Sequence, residues 1–284
     1  GQAYPAKPVR IILPYPPGGG AAPVITLFSE WFGKDLGQSF VVDYRPGGDT
    51  VIGTTAAAKA APDGYTLLTA TTAILINHWL YPDLQYNVLR DLTPISTLTR
   101  SDSVLIVAPS FPAGDLKEFI AYVKANPGKV NVASVSAVTI LNYQRFMNAT
   151  GTRFNIVNYK GGGQVMPDLL SSRVEGAIGA LAAAQAFIKS GKIKALAIAG
   201  ARRNPVLPEV PTFSEAGVQD YDPNNWIALF APGKAPRDII EKLNAQVRRA
   251  QEVPQLISAL DKLGLAPFPS STAEADQFMR AEAD

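Results

Sequence analysis

The chain has 284 residues, 47% hydrophobic and 18% charged, enough for two ordinary domains or one large one with a sizeable core. Its 26 basic and 24 acidic residues give a formal net charge of +2, too even for a nucleic-acid binder, and basic residues cluster no further than Arg202-Arg203 and Arg248-Arg249. It has no cysteine, which excludes disulfides, thiolate metal sites and a cysteine nucleophile, and no apolar run reaches the roughly 18 residues of a membrane span.

Short strand-like runs alternate with helical patterns from one end to the other. Val9 to Leu13 reads as a strand. Ala22 to Leu36 reads as a helix, with Ile25, Phe28, Trp31 and Phe32 at helical spacing and Gly37 as its stop. Phe40 to Val42, Thr66 to Leu68 and Val104 to Val107 are further strands. Asp115 and Glu118 form a capping box for a helix whose apolar face is Leu116, Phe119, Ile120 and Val123, closed by Asn126-Pro127-Gly128. Val130 to Ala133, Ile156 to Asn158 and Ala195 to Ile198 are strands. Ile240, Leu243 and Val247 mark one late helix, and Leu256, Ile257 and Leu260 another. Ser271 and Glu274 look like the capping box of the last. This alternation predicts an α/β protein with largely parallel sheets and helices on both faces. Ligands in such folds sit beyond the carboxyl ends of the strands, so the loops that follow strands are the ones to read.

The strongest of these loops is Pro14-Tyr15-Pro16-Pro17-Gly18-Gly19-Gly20-Ala21-Ala22-Pro23, directly after the first strand. The prolines stiffen it, and the glycines permit positive φ and let a ligand approach bare backbone. Pro23 suits the first turn of the helix that follows. Amides at a helix start, with the helix dipole, favour an anion by roughly 0.3–2 kcal/mol per charge. The plain alternative is a tight strand-to-helix turn. A phosphate loop is disfavoured, because neither Gly-Lys-Ser/Thr nor Gly-x-Gly-x-x-Gly is present. Tyr159-Lys160-Gly161-Gly162-Gly163 repeats the strand–glycine–helix design, with a helix around Gln164 to Leu170; Lys160 is either part of it or a solvent-exposed lysine. In Ser134 to Thr139 the hydroxyls either donate to a carboxylate or cap the following helix. Catalysis finds little support. No Gly-x-Ser-x-Gly turn is present, the one histidine, His78, stands among apolar residues, and no spaced carboxylates offer a metal site. No metal, cofactor or enzyme activity is expected.

These features together resemble a known family. Tyr4-Pro5-Ala6-Lys7-Pro8-Val9-Arg10 followed by Pro14 to Gly20 is similar to the Bug receptors, the substrate-binding proteins of tripartite tricarboxylate transporters. The likeness continues in order through Arg45-Pro46-Gly47, Ala58 to Leu67, Asn87 to Pro94, Tyr159 to Gly163, Gly191 to Ala197, Leu207 to Thr212 with Glu215-Ala216-Gly217, and Ala231-Pro232. Ala58 to Leu67 and Leu207 to Gly217 are its most specific parts, because no generic physics demands them.

The resemblance implies a type II periplasmic-binding-protein fold, two α/β lobes joined by two crossovers. The first lobe would be discontinuous (residues 1–101 and 224–284), with the second (102–223) between. It also implies a periplasmic monomer, its signal peptide removed, that closes around a small carboxylate and hands it to membrane subunits of a tripartite transporter. Carried over, one ligand carboxylate is gripped by backbone amides at Tyr15, Gly18, Gly19, Gly20 and Ala21 and at Tyr159, Gly161, Gly162 and Gly163. Thr71 and Thr72 would form one side wall, Ser136 and Thr139 the other, and Gly179 and Ala180 would line the pocket further. This chain has Ala21-Ala22 where the family has Thr-Asp, Thr139 to Asn142 where it often has a histidine, and Gly179-Ala180 where it usually has an aspartate. The substituted wall is small and apolar at Ala21, Ala22, Ile140, Gly179 and Ala180. That favours an aromatic acid or diacid over amino acids and citrate, with a C4–C6 aliphatic dicarboxylate as the alternative. A sensor presenting its ligand to a membrane kinase would need the same fold, and an enzyme using the glycine loops as an oxyanion site is a weaker alternative.

Overall fold

The computed structural model describes residues 4–17, 20–159 and 162–283. They form two compact units, Gly1–Arg100 with Trp226–Asp284, and Ser101–Asn225.

The first unit opens with β1 (Val9–Leu13), α1 (Ala21–Leu36), β2 (Phe40–Tyr44), α2 (Val51–Ala58), β3 (Thr66–Thr71), α3 (Ala73–Leu80), the single turn α4 (Val88–Asp91) and the long β4 (Leu92–Ser101). Apolar residues at helical spacing bury one stripe of α1, including Val24, Ile25, Phe28 and Phe32. The helix ends where Gly37 turns left-handed, at φ 70°, and donates its amide to Gly33. The second unit holds β5 (Ser103–Val107), α5 (Leu116–Ala125), β6 (Asn131–Ser134), α6 (Ala137–Thr150), β7 (Asn155–Asn158), a 3-10 turn (Gly162–Gln164), α7 (Val165–Leu170), β8 (Gly176–Ala180), α8 (Leu181–Lys189) and β9 (Lys194–Ile198). The chain then returns to the first unit with β10 (Asn225–Pro232), α9 (Arg237–Ala250), α10 (Pro254–Lys262), the two-residue β11 (Ala266–Pro267) and α11 (Thr272–Ala283).

The first sheet has the order β11-β4-β10-β3-β1-β2. Its residues alternate between two cores, as the period of two in a strand requires. Ile11, Leu13, Leu67 and Leu229 pack with α1, α9 and α10 through Phe28, Leu243, Val247 and Leu260. Ile12, Leu68, Ala228 and Phe230 pack on the other face with Ile74 and Leu75 of α3 and Met279 of α11. The C-terminal helices thus belong to the core that the N-terminal strands begin. The second sheet has the order β7-β6-β8-β5-β9, built around one core of its own.

Both sheets are mixed rather than largely parallel. β1 pairs in parallel with β2 and β3, and β6 with β7 and β8, but β10 runs antiparallel to β3 and β5 antiparallel to β8 and β9. β5 and β10 are the strands that open just after the two crossings of the chain between units, and β11 also runs antiparallel, to β4. The capping box of α5 forms with one change: Asp115 accepts from the Glu118 amide at 2.8 Å, but Glu118 reaches back to the Gly114 amide at 2.6 Å.

Candidate functional site

In each unit three parallel strands end side by side, and every described candidate residue lies at those ends or in the loops and helix starts just beyond them. In the first unit β1 lies between β2 and β3, so the loops starting at Pro14, Arg45 and Thr72 share one edge. Of the first glycine loop, Gly18 and Gly19 lie outside the described residues, as do Lys160 and Gly161 of the second.

Gly20 is the N-cap of α1, with φ −58° and ψ −25°. The positive φ expected of this loop is therefore absent at Gly20. A Cβ there would meet no atom within 4 Å. Neither backbone strain nor crowding requires a glycine or forbids a side chain at this position. The 16-residue helix behind it has no acidic residue in its first turn and no side-chain cap, so its own first turn does not offset its leading amides and dipole. The side chains of Ala21 and Ala22 are buried in the core, at 6% and 5% exposure, so this helix start offers backbone rather than a side-chain wall.

Tyr15 and Thr71 come together directly. Their hydroxyls lie 2.7 Å apart, the Thr71 amide donates to the Tyr15 hydroxyl at 3.3 Å, and Thr71 Oγ1 accepts from the Ala73 amide at 3.3 Å. Burial pushes the Tyr15 phenol up from its ordinary pKa, and the hydrogen bonds from Thr71 partly offset this. The phenol is therefore neutral at physiological pH. Thr72 is the N-cap of α3, and its carbonyl accepts from Leu75 at 3.1 Å.

The loop after β2, which shares this edge, is one that sequence reasoning passed over as a site element. Gly47, Gly48, Asp49 and Thr50 are all left-handed, with φ of 123°, 54°, 47° and 81°. A β-branched residue such as Thr50 rarely adopts this conformation. Asn77 of α3, 1% exposed, holds the loop there: its side-chain amide donates to the Asp49 carbonyl at 2.7 Å and to Thr50 Oγ1 at 3.0 Å. Tyr81 donates to the Asp49 carboxylate at 2.5 Å. Gly53 of α2 packs so closely on Pro14 that a Cβ would come within 2.8 Å of the proline Cβ and 2.7 Å of the Arg45 carbonyl. A usable signal existed: Gly47-Gly48 between a strand and a helix repeats the pattern of the two loops singled out.

In the second unit β6 lies between β7 and β8, and the loops after all three again share one edge. The question left open at Ser136 and Thr139 resolves towards capping. Ser136 is the N-cap of α6 and accepts from the Thr139 amide at 3.2 Å, and the two hydroxyls are 3.0 Å apart. Tyr159 turns its hydroxyl to Asp168 at 2.8 Å, and Asp168 also faces Arg173 at 3.4 Å. Burial, then the bond to this carboxylate, raises the Tyr159 pKa. Gly162 and Gly163 lie in the 3-10 turn that leads into α7, and Gly163, like Gly20, is not left-handed and has open space where a Cβ would sit. Gly179 and Ala180 end β8, half-buried and exposed respectively, and Ala180 is the N-cap of α8; Ile140 is half-buried on α6. The lone histidine, His78, is exposed in the last turn of α3, its ring edge-on to Trp79 at 5.5 Å. Among the described residues no three histidines or carboxylates gather as a metal site, and no helix is long and apolar enough to cross a membrane.

Residues 25–284 match the family model described as the tripartite tricarboxylate transporter family receptor. The chain belongs to this family. Protein BugT of Bordetella pertussis is 34% identical over 285 residues, covering 99% of this chain and 87% of that protein. Among solved structures, an R. palustris protein with adipate superposes with a TM-score of 0.77 at 29% identity, covering 99% of this chain and 95% of that one. MatC from Rhodopseudomonas palustris with bound malate gives 0.75 at 29% identity, covering 99% and 97%. The family receptor therefore has the expected fold, two α/β lobes of the periplasmic-binding-protein type.

Proposed function

We propose that this receptor captures a small organic carboxylate with the loops before α1 and α7, and delivers it from the periplasm, as a monomer, to the membrane subunits of a tripartite tricarboxylate-type transporter. The observation that carries this reading is the start of α1. A long helix opens without an acidic residue or a side-chain cap, behind a glycine that needs neither a left-handed backbone nor the space it leaves. Such a helix start suits an anion. The side walls offer hydroxyls at Thr71, Thr72, Ser136 and Thr139 and small residues at Gly179 and Ala180.

The ligand class is an organic acid with an apolar body. Gly179 and Ala180 leave room for an aromatic acid or diacid, whose buried apolar surface would contribute about 25 cal/mol per Å². Adipate and malate in similar receptors favour the second reading, an aliphatic dicarboxylate. Thermal shift and calorimetry over benzoate, terephthalate, succinate, adipate, citrate and glutamate separate the two. The decisive variant is Gly20→Val. Its helical φ and open surroundings predict normal folding, while the side chain would occupy the carboxylate's place and weaken binding by tenfold or more, about 1.4 kcal/mol. Unchanged affinity in a folded Gly20→Val protein would remove the site.

A further inference from the structure

The two edges of β6 are paired unequally. With β7 it keeps register over four residues, to Ser134↔Asn158. With β8 it is registered only at Val132↔Gly176 and Ala133↔Ala177. Just beyond the last pair stands the hydroxyl of Tyr143, carried by α6. It accepts from the Ile178 amide of β8 at 2.8 Å and donates to the Ala133 carbonyl of β6 at 2.7 Å. The side chain is 1% exposed, and its ring is fixed edge-on against Phe154 at 5.4 Å. A phenol oxygen thus bridges the strands at the end of their ladder. Beyond that point β6 continues to Ser134 and the loop that holds Ser136, and β8 continues to Gly179 and Ala180.

We propose that Tyr143 is a positioning residue for the ligand: it wedges β6 from β8 and so sets the width of the slot between Ser136 and Gly179-Ala180. This rests on the carboxylate-receptor reading above. The slot is flanked by small residues, and a Cβ at Gly179 would meet nothing within 4 Å. Its width, fixed from below by a buried hydroxyl, then decides how large an acid the second unit admits. Without the hydroxyl, the Ile178 amide and the Ala133 carbonyl lose their buried partner and regain one most directly by closing on each other. Closure narrows the slot.

The test is Tyr143→Phe, compared with Phe154→Leu, a change in the neighbouring ring that lowers stability and leaves the hydroxyl in place. Calorimetry with succinate, adipate and terephthalate reads selectivity. In Tyr143→Phe the longer and bulkier acids should lose roughly tenfold more affinity than succinate, and Phe154→Leu should lose none of that ratio. An equal loss for all three acids, or the same ratio change in Phe154→Leu, overturns the proposal. A ligand-free measurement stands beside it: backbone cross-peaks between Ser134 and Gly179 should appear or strengthen in Tyr143→Phe, and an unchanged pattern overturns the wedge. Failure of wild-type protein to bind any of the acids would instead overturn the carboxylate reading, and the cross-peaks would still judge the wedge.

Discussion

The two units present the same arrangement of strands and secure it in different ways. Each has a central strand, β1 or β6, with a parallel neighbour on either side and candidate loops at the carboxyl ends. In the first unit side chains tie the loops to one another. Tyr15 of the loop after β1 meets Thr71 at the end of β3, Gly53 receives Pro14, and Asn77 of α3 grips the loop after β2. In the second unit each loop is mostly closed on itself. Ser136 caps its own helix, and Tyr159 bonds Asp168 nine residues on. Apart from a backbone bond between Tyr159 and Ser134, the side-chain link between the ends of β6 and β8 comes from beneath, through Tyr143. The difference separates two ways of preparing a site. An interlocked edge costs little reorganisation when a ligand arrives, whereas individually capped loops can be altered one at a time.

Asn77→Ala is the strongest way to break that comparison. It removes the donor that holds Asp49 and Thr50, both left-handed, and leaves the buried Thr50 hydroxyl without it. Lost hydrogen bonds and an unsatisfied buried group together predict about 2–4 kcal/mol of destabilisation. The effect should spread, because the released loop precedes α2, which seats Pro14. Chemical denaturation measures the loss, and limited proteolysis near residues 47–50 should show new cleavage. A loss below about 0.5 kcal/mol, the size of an ordinary surface substitution, would mean that the loops of the first unit are not interlocked.

Ser136→Ala is the matching change in the second unit and should stay local. It deletes an exposed N-cap, which costs about 1 kcal/mol. Hydrogen exchange should rise in the first turn of α6 and remain unchanged at Gly163 and Gly179. Spread to those loops would erase the distinction between the two units.

Much of this was legible in the sequence, for identifiable reasons. β1, α1, α5 and α9 announce themselves because their apolar periods match their structures. The two glycine loops are readable because glycine runs between a strand and a helix are rare in ordinary turns. β4 is hidden by Pro94 near its start and by its Thr and Ser residues, which read as a loop. The left-handed φ expected at Gly20 occurs instead at Gly47 and Gly48, since glycine composition does not say which glycine a conformation needs. Asn77 and Tyr143 give no local signal at all. The loop residues that Asn77 holds lie 27 and 28 residues away and Ile178 lies 35 from Tyr143, and only the fold brings them together.

The smallest expected effect sharpens the comparison between the two hydroxyls, Tyr15 in the first unit and Tyr143 in the second. Burial raises both phenols above the ordinary value of 10.0, but Tyr15 is partly exposed and its bonds to Thr71 pull it back, whereas Tyr143 is almost completely enclosed. A group whose folded pKa is raised contributes stability that is fully present below the unfolded pKa and is lost as pH rises through the folded one. Between pH 7 and 9 neither phenol should make stability depend on pH. Above about pH 10 the unfolded chain ionises while the folded one does not, so stability should fall, by less than about 1 kcal/mol per phenol up to pH 10.5. Relative to wild type, Tyr143→Phe should flatten that alkaline slope more than Tyr15→Phe, because it removes the more deeply buried group. Denaturant midpoints taken from pH 8 to pH 10.5 read the two slopes. A steeper recovery in Tyr15→Phe would place the tighter hydroxyl in the first unit and reverse the assignment of which edge is held from within its loops and which from below.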